Sequence, residues 1–328
     1  MEIHGGSERD DIIDFSISVN PYTPVWKNEL FELCKKSSRK YTYIEWLEED
    51  FKSVFGNNAI VLAGATEALQ IIGFIIMDGA SVVIPTPSYG EYERVAKFRA
   101  LSIVKVPPKD DLALDLESAF KIAEKLSKTR KTVLIFGNPT NPTGSYASEQ
   151  IKDWIYHLSC KGVIVIIDEA FIDFVKERYT IDNPRVIRLR TFTKSYGMPG
   201  IRVGYVLTEE FKKTFEDYRA PWAIGACGYA FLKYLLRDKG IFLKHSLPKI
   251  WKESERFKNI GVLTDANFGC LKVKNAKEIQ ALLDKNRIHV RSCESFGITD
   301  YVRISIRTPK ENDKLFKLIQ SLNSFPSV

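Results

Sequence analysis

From about Ala59 onward, the chain alternates short apolar runs with segments whose apolar residues recur at helical spacing. The short runs are apolar along their whole length, which is typical of strands that are buried on both faces. Strands separated by helices predict an α/β fold with a mostly parallel sheet that is covered on both sides. The candidate strands of this seven-stranded sheet are AIVLA, SVVIP, SIVKV, TVLIF, VIVIID, VIRLR and RVGYVL.

The pattern changes after about Glu209. Two long amphipathic segments are followed by the alternating runs FGCLKV and YVRISIR, with helical segments between and after them. This order predicts a second, smaller α+β domain. The first forty residues lack a strong period. We therefore predict an N-terminal arm at 1–40 that packs on the small domain, a large domain at 41–215 and a small C-terminal domain at 216–328.

Composition narrows the class of protein. With 328 residues, 45% of them hydrophobic, the chain can bury a large core. The net charge of +7 comes from basic residues that are interleaved with acidic ones, which favours a small anionic ligand over nucleic acid. The most apolar run, LQIIGFIIM, is far shorter than the ~20 residues of a membrane-spanning helix, so no membrane partner is predicted.

The cysteines and histidines predict neither a disulfide framework nor a metal site. The five cysteines lie far apart without a CxxC pair, and the four histidines are equally dispersed. The acidic, polar start MEIHGGSERDD does not resemble a secretory signal. Both features lead us to expect a reducing, cytoplasmic location.

Two charged residues stand where predicted strands end, which is where open parallel sheets bind their ligands. Lys194, in RTFTKSYGMPGIRVGY, lies on a predicted tight turn between two strands. Asp168 ends the strand VIVIID and either caps the next turn or faces a ligand. A nucleotide-hydrolase role loses its support because the chain has no GxxxxGK[ST] motif. A buried carboxylate needs a cationic partner, and a protonated heterocyclic nitrogen of a cofactor would serve.

A set of donors around Arg202 is suited to a phosphate group. Gly64, Ala65 and Thr66 lead from a strand into a helix, where backbone N–H groups and the helix dipole favour an anion. That turn alone could be an ordinary helix cap. Combined with Thr191 and Arg202, it supplies donors of three kinds for one phosphate.

Two further strand ends carry groups that suit a flat ring. Asn141, in FGNPTNPTG, is either part of a plain proline-rich loop or a donor to a ring hydroxyl. Tyr89 and Tyr92, in IPTPSYGEYERVAK, are either packing residues or, for Tyr89, a stacking face. With the lysine, the aspartate and the phosphate donors, these groups meet the needs of pyridoxal phosphate: an amine for a Schiff base, a carboxylate for the pyridine nitrogen and a phosphate clamp.

The ordered motifs NPYTP, GATEAL, PSYGEY, NPTNPTG, DEAF, TKSYGMPGIRVGY and VRISIR resemble fold-type I pyridoxal-phosphate enzymes of the aminotransferase group. The resemblance covers nearly the whole chain. It implies that Lys194 binds the cofactor covalently and moves protons, that Asp168 pairs with the pyridine nitrogen, that Asn141 bonds the ring hydroxyl and that Tyr89 stacks on the ring. The implied phosphate contacts are Ala65, Thr66, Thr191 and Arg202.

The same resemblance implies a homodimer. Tyr41, in RKYTYIEW, is similar to the tyrosine that this family sends into the phosphate site of the neighbouring subunit. The chain departs from the family pattern at the next position, where Thr42 replaces the usual proline.

Two arginines are candidates for substrate binding. Arg303, in YVRISIR, resembles the carboxylate-binding arginine of the family, and Arg291, in HVRSCESFG, is expected to face the same pocket. A surface ion pair is the alternative for each. Two guanidinium groups suggest a substrate with two anions, such as an amino-acid phosphate.

Two features, one near the amino terminus and one near the middle of the chain, separate the candidate reactions. The segment IHGG, followed by IIDFSISVNPYTP, resembles the amino-terminal signature of L-threonine-O-3-phosphate decarboxylases, in which the residues at His4 and Asn20 recognise substrate. Phe171, in DEAFIDF, stands where most aminotransferases of the group carry a tyrosine.

The leading hypothesis is therefore an L-threonine-O-3-phosphate decarboxylase that serves cobalamin side-chain synthesis. The first alternative is a histidinol-phosphate aminotransferase, or a related amino-acid aminotransferase, built on the same site. A further alternative is a non-catalytic binding protein that kept the fold and whose lysine is idle.

Overall fold

The computed structural model describes residues 5–109 and 112–321 of the 328-residue chain. Its strands are β1 (Ile13–Asp14), β2 (Ala59–Leu62), β3 (Ser81–Pro85), β4 (Ser102–Val106), β5 (Thr132–Gly137), β6 (Ile164–Asp168), β7 (Val186–Thr191), β8 (Gly204–Leu207), β9 (Phe268–Lys272), β10 (Ile288–His289), β11 (Arg291–Ser292) and β12 (Tyr301–Ser305).

Seven of these strands form one sheet in the order β2-β8-β7-β6-β5-β3-β4. The pairs from β4 to β7 are parallel, and only β8 runs antiparallel to its neighbours β2 and β7. Each strand contains most of one of the seven apolar runs. The prediction of a mostly parallel seven-stranded sheet is confirmed.

The helices are α1 (Lys27–Ser37), α2 (Glu48–Phe55), α3 (Ala65–Ile71), α4 (Gly90–Arg99), α5 (Leu116–Ser127), α6 (Ile151–Cys160), α7 (Phe192–Ser195), α8 (Lys212–Tyr218), α9 (Ala226–Asp238), α10 (Ile241–Lys258), α11 (Ala276–Lys285) and α12 (Pro309–Ser321). A π-helical turn, Ile72–Ile76, continues α3. In the described part of the chain, no helix combines the length and apolar character needed to cross a membrane.

Side chains of the central strands of the large sheet, such as β3 and β5, are buried on both faces, as continuously apolar strands require. Along β5, Val133 and Ile135 join a cluster with α3 and α4, whereas Leu134 and Phe136 join a cluster with α5 and α6. Alternate residues of a strand point to opposite faces, so each face takes every second side chain. This two-sided burial fixes the strand ends that carry the polar residues.

The other strands form two small sheets. Strands β11, β12 and β9 are antiparallel in that order, and β1 pairs in parallel with β10. Strands β9, β10 and β12 and helices α10 to α12 share one hydrophobic cluster, which also includes Phe15 from the beginning of the chain. The register places Arg291 of β11 opposite Arg303 of β12.

The domain boundaries expected at 40/41 and 215/216 stay predictions, and the hydrophobic clusters show how the segments beside them pack. Phe15 lies in the C-terminal cluster, but Leu30 of α1 packs with α9, α2, β2 and β8. The boundary expected between 215 and 216 falls inside α8. Phe231 of α9 belongs to the cluster of β2 and β8, and Phe242 and Leu243 at the start of α10 pack against the same cluster.

Cys34 of α1 and Cys227 of α9 form a disulfide, although the sequence pattern predicted none. The two residues are 193 positions apart, and they meet because α1 packs along α9. Their spacing therefore carried no signal of the pairing. Among the described cysteines, Cys160, Cys270 and Cys293 are free thiols. The cytoplasmic location stays a prediction. The disulfide weakens the part of that prediction that rested on the cysteines, because structural disulfides are rare in reducing compartments.

Candidate active site

A cavity of about 190 Å³ lies where the carboxyl ends of the large sheet face β11 and β12. It brings together residues that are far apart in the sequence. The sequence-predicted residues that line it are Ala65, Thr66, Tyr89, Asn141, Asp168, Thr191, Lys194, Arg202, Arg291 and Arg303. The cavity thus lies at the carboxyl edge of the sheet, where open parallel sheets bind their ligands.

Lys194 lies in the four-residue helix α7, and not in the tight turn that its neighbours predicted. Thr191 ends β7 and caps α7, because its Oγ1 accepts a hydrogen bond from the N–H of Thr193. Burial lowers the pKa of Lys194 to about 8, and the positive charges of Arg303 and Arg202 add to this effect. A substantial fraction of the amine is therefore neutral, and so nucleophilic, near pH 8.

Asp168 is buried at the end of β6 and has two hydrogen-bond donors. Its Oδ1 accepts from the N–H of Ala170 at 3.0 Å, and its Oδ2 accepts from the hydroxyl of Tyr92 at 2.8 Å. Burial raises the pKa of Asp168, whereas the two hydrogen bonds oppose that rise. Such a carboxylate gains from a cationic ligand, as the sequence argument required.

Arg202 and the start of α3 lie together at the place predicted to form a phosphate cup. Nη2 of Arg202 donates to Oγ1 of Thr66 at 3.3 Å. Gly64, which precedes α3, has φ +80°, and a Cβ there would lie 2.9 Å from Nη2 of Arg202. The N–H groups at the start of α3, a hydroxyl and a guanidinium therefore lie around one small volume that suits a phosphate.

Arg303 is buried on the opposite wall of the cavity. Its Nη1 donates to Oδ1 of Asn141 at 2.7 Å, and its Nη2 donates to the carbonyl of Ser16 at 2.5 Å. Its Nε has no hydrogen-bond partner among the described residues. Burial, reinforced by the charge of Arg291, lowers the pKa of Arg303 to about 10, so the guanidinium is charged at neutral pH. A buried, charged group with an unused donor suits an anionic ligand.

Tyr89 precedes α4 and presents its ring at the cavity. The ring meets that of Tyr92 edge to face, with 5.7 Å between centroids. Burial raises the pKa of Tyr89 to about 12, and the negative charges of Glu91 and Asp168 add to this effect. The hydroxyl is therefore neutral, and the ring is available as a stacking face.

Two sequence-predicted residues, Asn20 and Tyr41, are not among the described residues that line the cavity, and a third cannot be placed. Nδ2 of Asn20 donates to the carbonyl of Ser195 at 2.8 Å and to Oγ of Ser246. Its amide therefore stabilises α7, the helix that contains Lys194. Tyr41 is 71% exposed, and its ring packs on Trp222. His4 lies outside the described residues.

The cavity also contains residues to which the sequence argument gave no role. They are Gly5, Ser16, Ile17, Ser18, Leu69, Tyr92, Pro139, Ala170 and Thr193, together with Phe171, which the sequence argument used only to compare reactions. Thr193 could have been found from the hydroxyl residues around Lys194 in TFTK. For Ser16, Ile17 and Ser18, the alternation of polar and apolar residues in FSISV was a weaker indication of a site, because such alternation also fits an ordinary edge strand.

The residues present fit pyridoxal phosphate. A buried amine, a buried carboxylate, an aromatic face and a phosphate cup surround one cavity, and each is the type of group that the cofactor needs. Fold and site together define an enzyme of the pyridoxal-phosphate-dependent fold-type I class. Residues 10–319 match the family model of class I and II aminotransferases, and the chain belongs to this family.

Relatives in this family have two different activities by name. The chain is 30% identical over 316 residues to the histidinol-phosphate aminotransferase of Thermococcus gammatolerans, covering 92% of this chain and 88% of the relative. It is 28% identical over 333 residues to a Caldanaerobacter subterraneus protein named as a threonine-phosphate decarboxylase, covering 93% of this chain and 89% of the relative.

Solved structures agree on the fold. The histidinol-phosphate aminotransferase of Clostridium acetobutylicum superposes with a TM-score of 0.84 at 24% identity, over 94% of this chain and 98% of that one. The Sinorhizobium meliloti enzyme of the same name, in complex with pyridoxal 5'-phosphate, gives a TM-score of 0.77 at 22% identity, over 93% and 89%.

Proposed function

We propose that the chain is a pyridoxal-phosphate-dependent decarboxylase of a small amino-acid phosphate, with L-threonine phosphate as substrate. The observation that supports this most is the distribution of three arginines around one cavity. Arg202 lies beside Thr66 at the phosphate cup, and Arg291 and Arg303 lie opposite each other in β11 and β12. With Arg202 assigned to the cofactor, two guanidinium groups remain for the two anions of one substrate.

Each site residue has a task in this reaction. When bound, pyridoxal phosphate withdraws electrons from the α-carbon of the attached amino acid. Lys194 holds the cofactor before substrate arrives, and its ammonium gives a proton to the α-carbon after carbon dioxide has left. Asp168 keeps a proton on the ring nitrogen. Arg303 holds the substrate carboxylate and thereby sets which α-carbon bond is aligned for cleavage.

The remaining groups orient and enclose the reactants. Tyr89 supports the ring face, and Asn141 donates to the ring hydroxyl while its Oδ1 accepts from Arg303. Ala65, Thr66 and Thr191 join Arg202 at the phosphate. Arg291 takes the distal phosphate of the substrate, in agreement with the contribution of its positive charge to the pKa shifts of Lys194 and Arg303.

The enzyme acts as a homodimer in this proposal, with Tyr41 reaching the phosphate cup of the partner. Tyr41 and Trp222 are large, mutually packed side chains that are 71% and 54% exposed. Exposed aromatic groups of this size are enriched at protein interfaces. Tyr41 is not among the residues that line the cavity of its own chain, which agrees with a role across the interface.

A histidinol-phosphate aminotransferase is the second candidate. It is favoured by the relative with 30% identity, and Lys194 would move the proton between two carbon atoms in that reaction. Histidinol phosphate carries one anionic group, so it leaves Arg291 or Arg303 for the second substrate of the transamination.

The test supplies L-threonine phosphate to the cofactor-loaded protein and measures carbon dioxide release, with L-threonine as the control that lacks the phosphate. We expect release from the phosphate ester and little from L-threonine. No release, together with rapid 2-oxoglutarate-dependent transamination of histidinol phosphate, would establish the second candidate instead. Lys194→Ala separates both from the binding-protein hypothesis, because it abolishes turnover only if the chain is an enzyme.

A further inference from the structure

Tyr92 of α4 has no task in the proposed mechanism, yet it contacts the carboxylate of Asp168. Its side chain is 2% exposed, and its hydroxyl donates to Oδ2 of Asp168 at 2.8 Å. The edge-to-face contact with Tyr89 fixes the ring from the cavity side. Tyr92 thus joins the aromatic face to the buried carboxylate.

The sequence leaves room for this contact at Gly137. The register of β5 and β6 places Gly137 directly opposite Asp168. A Cβ at position 137 would lie 3.2 Å from the Tyr92 hydroxyl and 3.2 Å from the carbonyl of Pro139. The hydroxyl can therefore pass the end of β5 and reach the carboxylate because residue 137 has no side chain.

The other groups around Asp168 cannot replace this donor. Oδ1 accepts from the N–H of Ala170, which is a fixed backbone donor. The charge of Lys194 favours the carboxylate and that of Glu169 opposes it. Among the described residues, the side-chain group that donates a hydrogen bond to Asp168 is the hydroxyl of Tyr92. A hydrogen bond to the ionised form stabilises that form, and in a buried site the effect is large.

We propose that Tyr92 is a positioning residue that keeps Asp168 ionised, so that the proton between Asp168 and the cofactor ring stays on the ring nitrogen. The inference rests on the proposed pairing of Asp168 with that nitrogen. Without the hydroxyl, the carboxylate loses one of two donors and becomes the better proton acceptor. The proton then moves toward Asp168, and the ring withdraws electrons less strongly.

The test compares the wild type with Tyr92→Phe, each loaded with pyridoxal phosphate that carries ¹⁵N in the ring. The nitrogen chemical shift reports protonation directly and does not depend on turnover. We expect a protonated value in the wild type, a clear displacement toward the unprotonated value in Tyr92→Phe, and a cofactor dissociation constant that rises about tenfold. Tyr196→Phe is the matched control, because its buried hydroxyl also donates to a carboxylate, that of Asp238. It should leave the shift unchanged.

The outcomes separate this inference from the proposed function. An unprotonated nitrogen in the wild type would overturn the pairing with Asp168 itself. A protonated nitrogen in both the wild type and Tyr92→Phe would overturn the role of Tyr92 alone. If Tyr92→Phe does not fold, Gly137→Ala gives the answer, since its methyl group would lie 3.2 Å from the hydroxyl and would force it to shift by a few tenths of an ångström. We expect a smaller displacement in the same direction, and an unchanged nitrogen shift would contradict the inference.

Discussion

Gly64 makes room for the guanidinium of Arg202: a Cβ built at position 64 would stand only 2.9 Å from Nη2 of Arg202. The same glycine has φ +80°, a conformation that other residues adopt at a cost. The predicted phosphate cup therefore depends on a missing side chain as much as on the donors themselves. In the motif GATEAL, this requirement falls on the first residue, Gly64.

Gly64→Ala should weaken binding of pyridoxal phosphate by about tenfold or more, because the methyl group pushes Arg202 away from Thr66. Titration of the apoprotein measures the dissociation constant. Gly79→Ala is the matched control: Gly79 also has a positive φ, but a Cβ there meets nothing within 4 Å. Equal weakening by both substitutions would assign the effect to backbone strain and not to the phosphate cup.

Arg291→Leu and Arg303→Leu should separate the two anions of the substrate. Loss of Arg291 should lower kcat/KM for L-threonine phosphate about 10- to 100-fold and leave the weak reaction of L-threonine nearly unchanged, because only the phosphate ester uses that residue. Loss of Arg303 should lower both. Arg99→Leu removes an exposed arginine that lies near Asp78 and should change neither. A phosphate-independent loss in Arg291→Leu would contradict the assignment.

Lys194→Met should stabilise the apoprotein at neutral pH. The pKa of Lys194 is about 8 in the folded chain, against an ordinary value of 10.5, so folding below pH 8 requires a buried ammonium. The cost is about 3 kcal/mol at 1.36 kcal/mol per pKa unit. Between pH 8 and 10.5 the unfolded chain binds more protons, so wild-type stability rises with pH and the advantage of Lys194→Met disappears.

Urea unfolding of both apoproteins at pH 7 and at pH 10 measures this difference. Lys213→Met removes a lysine whose side chain is 84% exposed, and its stability difference from the wild type should not change between the two pH values. A constant difference for Lys194→Met as well would mean that the lysine is not neutral in the folded state.

The strands and the strand-end residues could be predicted because they depend on local patterns. Apolar runs specify central strands, and the open-sheet rule places Asp168, Lys194 and Arg202 at one edge. The bond between Tyr92 and Asp168 could not be predicted, because it depends on the side-chain direction in α4 and on the space at Gly137. Both are properties of three-dimensional packing that a linear pattern does not carry.

Asn20 shows the same limit at a functional position. The resemblance to decarboxylases assigned it to substrate, but its amide is bonded to the carbonyl of Ser195 and to Ser246. A motif identifies a residue as necessary without saying which atoms it contacts. Here the side chain fixes the helix that carries Lys194.

A mixture of two inactive variants should regain activity if Tyr41 acts across a dimer interface. Lys194→Ala removes the amine of its own site, and Tyr41→Ala removes a group from the site of the partner. Refolding equal amounts together should give mixed dimers with one intact site, and about a quarter of the wild-type activity for a symmetric dimer. Each variant refolded alone should stay inactive. No recovery, despite mixed dimers on native gels, would place Tyr41 outside the site.

The disulfide between Cys34 and Cys227 should stabilise the packing of α1 on α9. It closes a loop of 193 residues, for which the loss of unfolded-state entropy is worth about 5 kcal/mol in the chain-entropy model. Cys34→Ser should therefore lower the Tm, and a reductant should lower the wild type to the same value without further effect on the variant. Cys160→Ser, which removes an exposed free thiol, should leave the Tm unchanged.

Thiol titration of the denatured protein gives an independent check of this bond. Without reductant, three thiols should react, those of Cys160, Cys270 and Cys293, and after reduction all five cysteines should react. If five thiols react without reductant, the two helices are held by packing alone. The expected loss of Tm on reduction would then be absent as well, because no covalent link would restrict the unfolded chain.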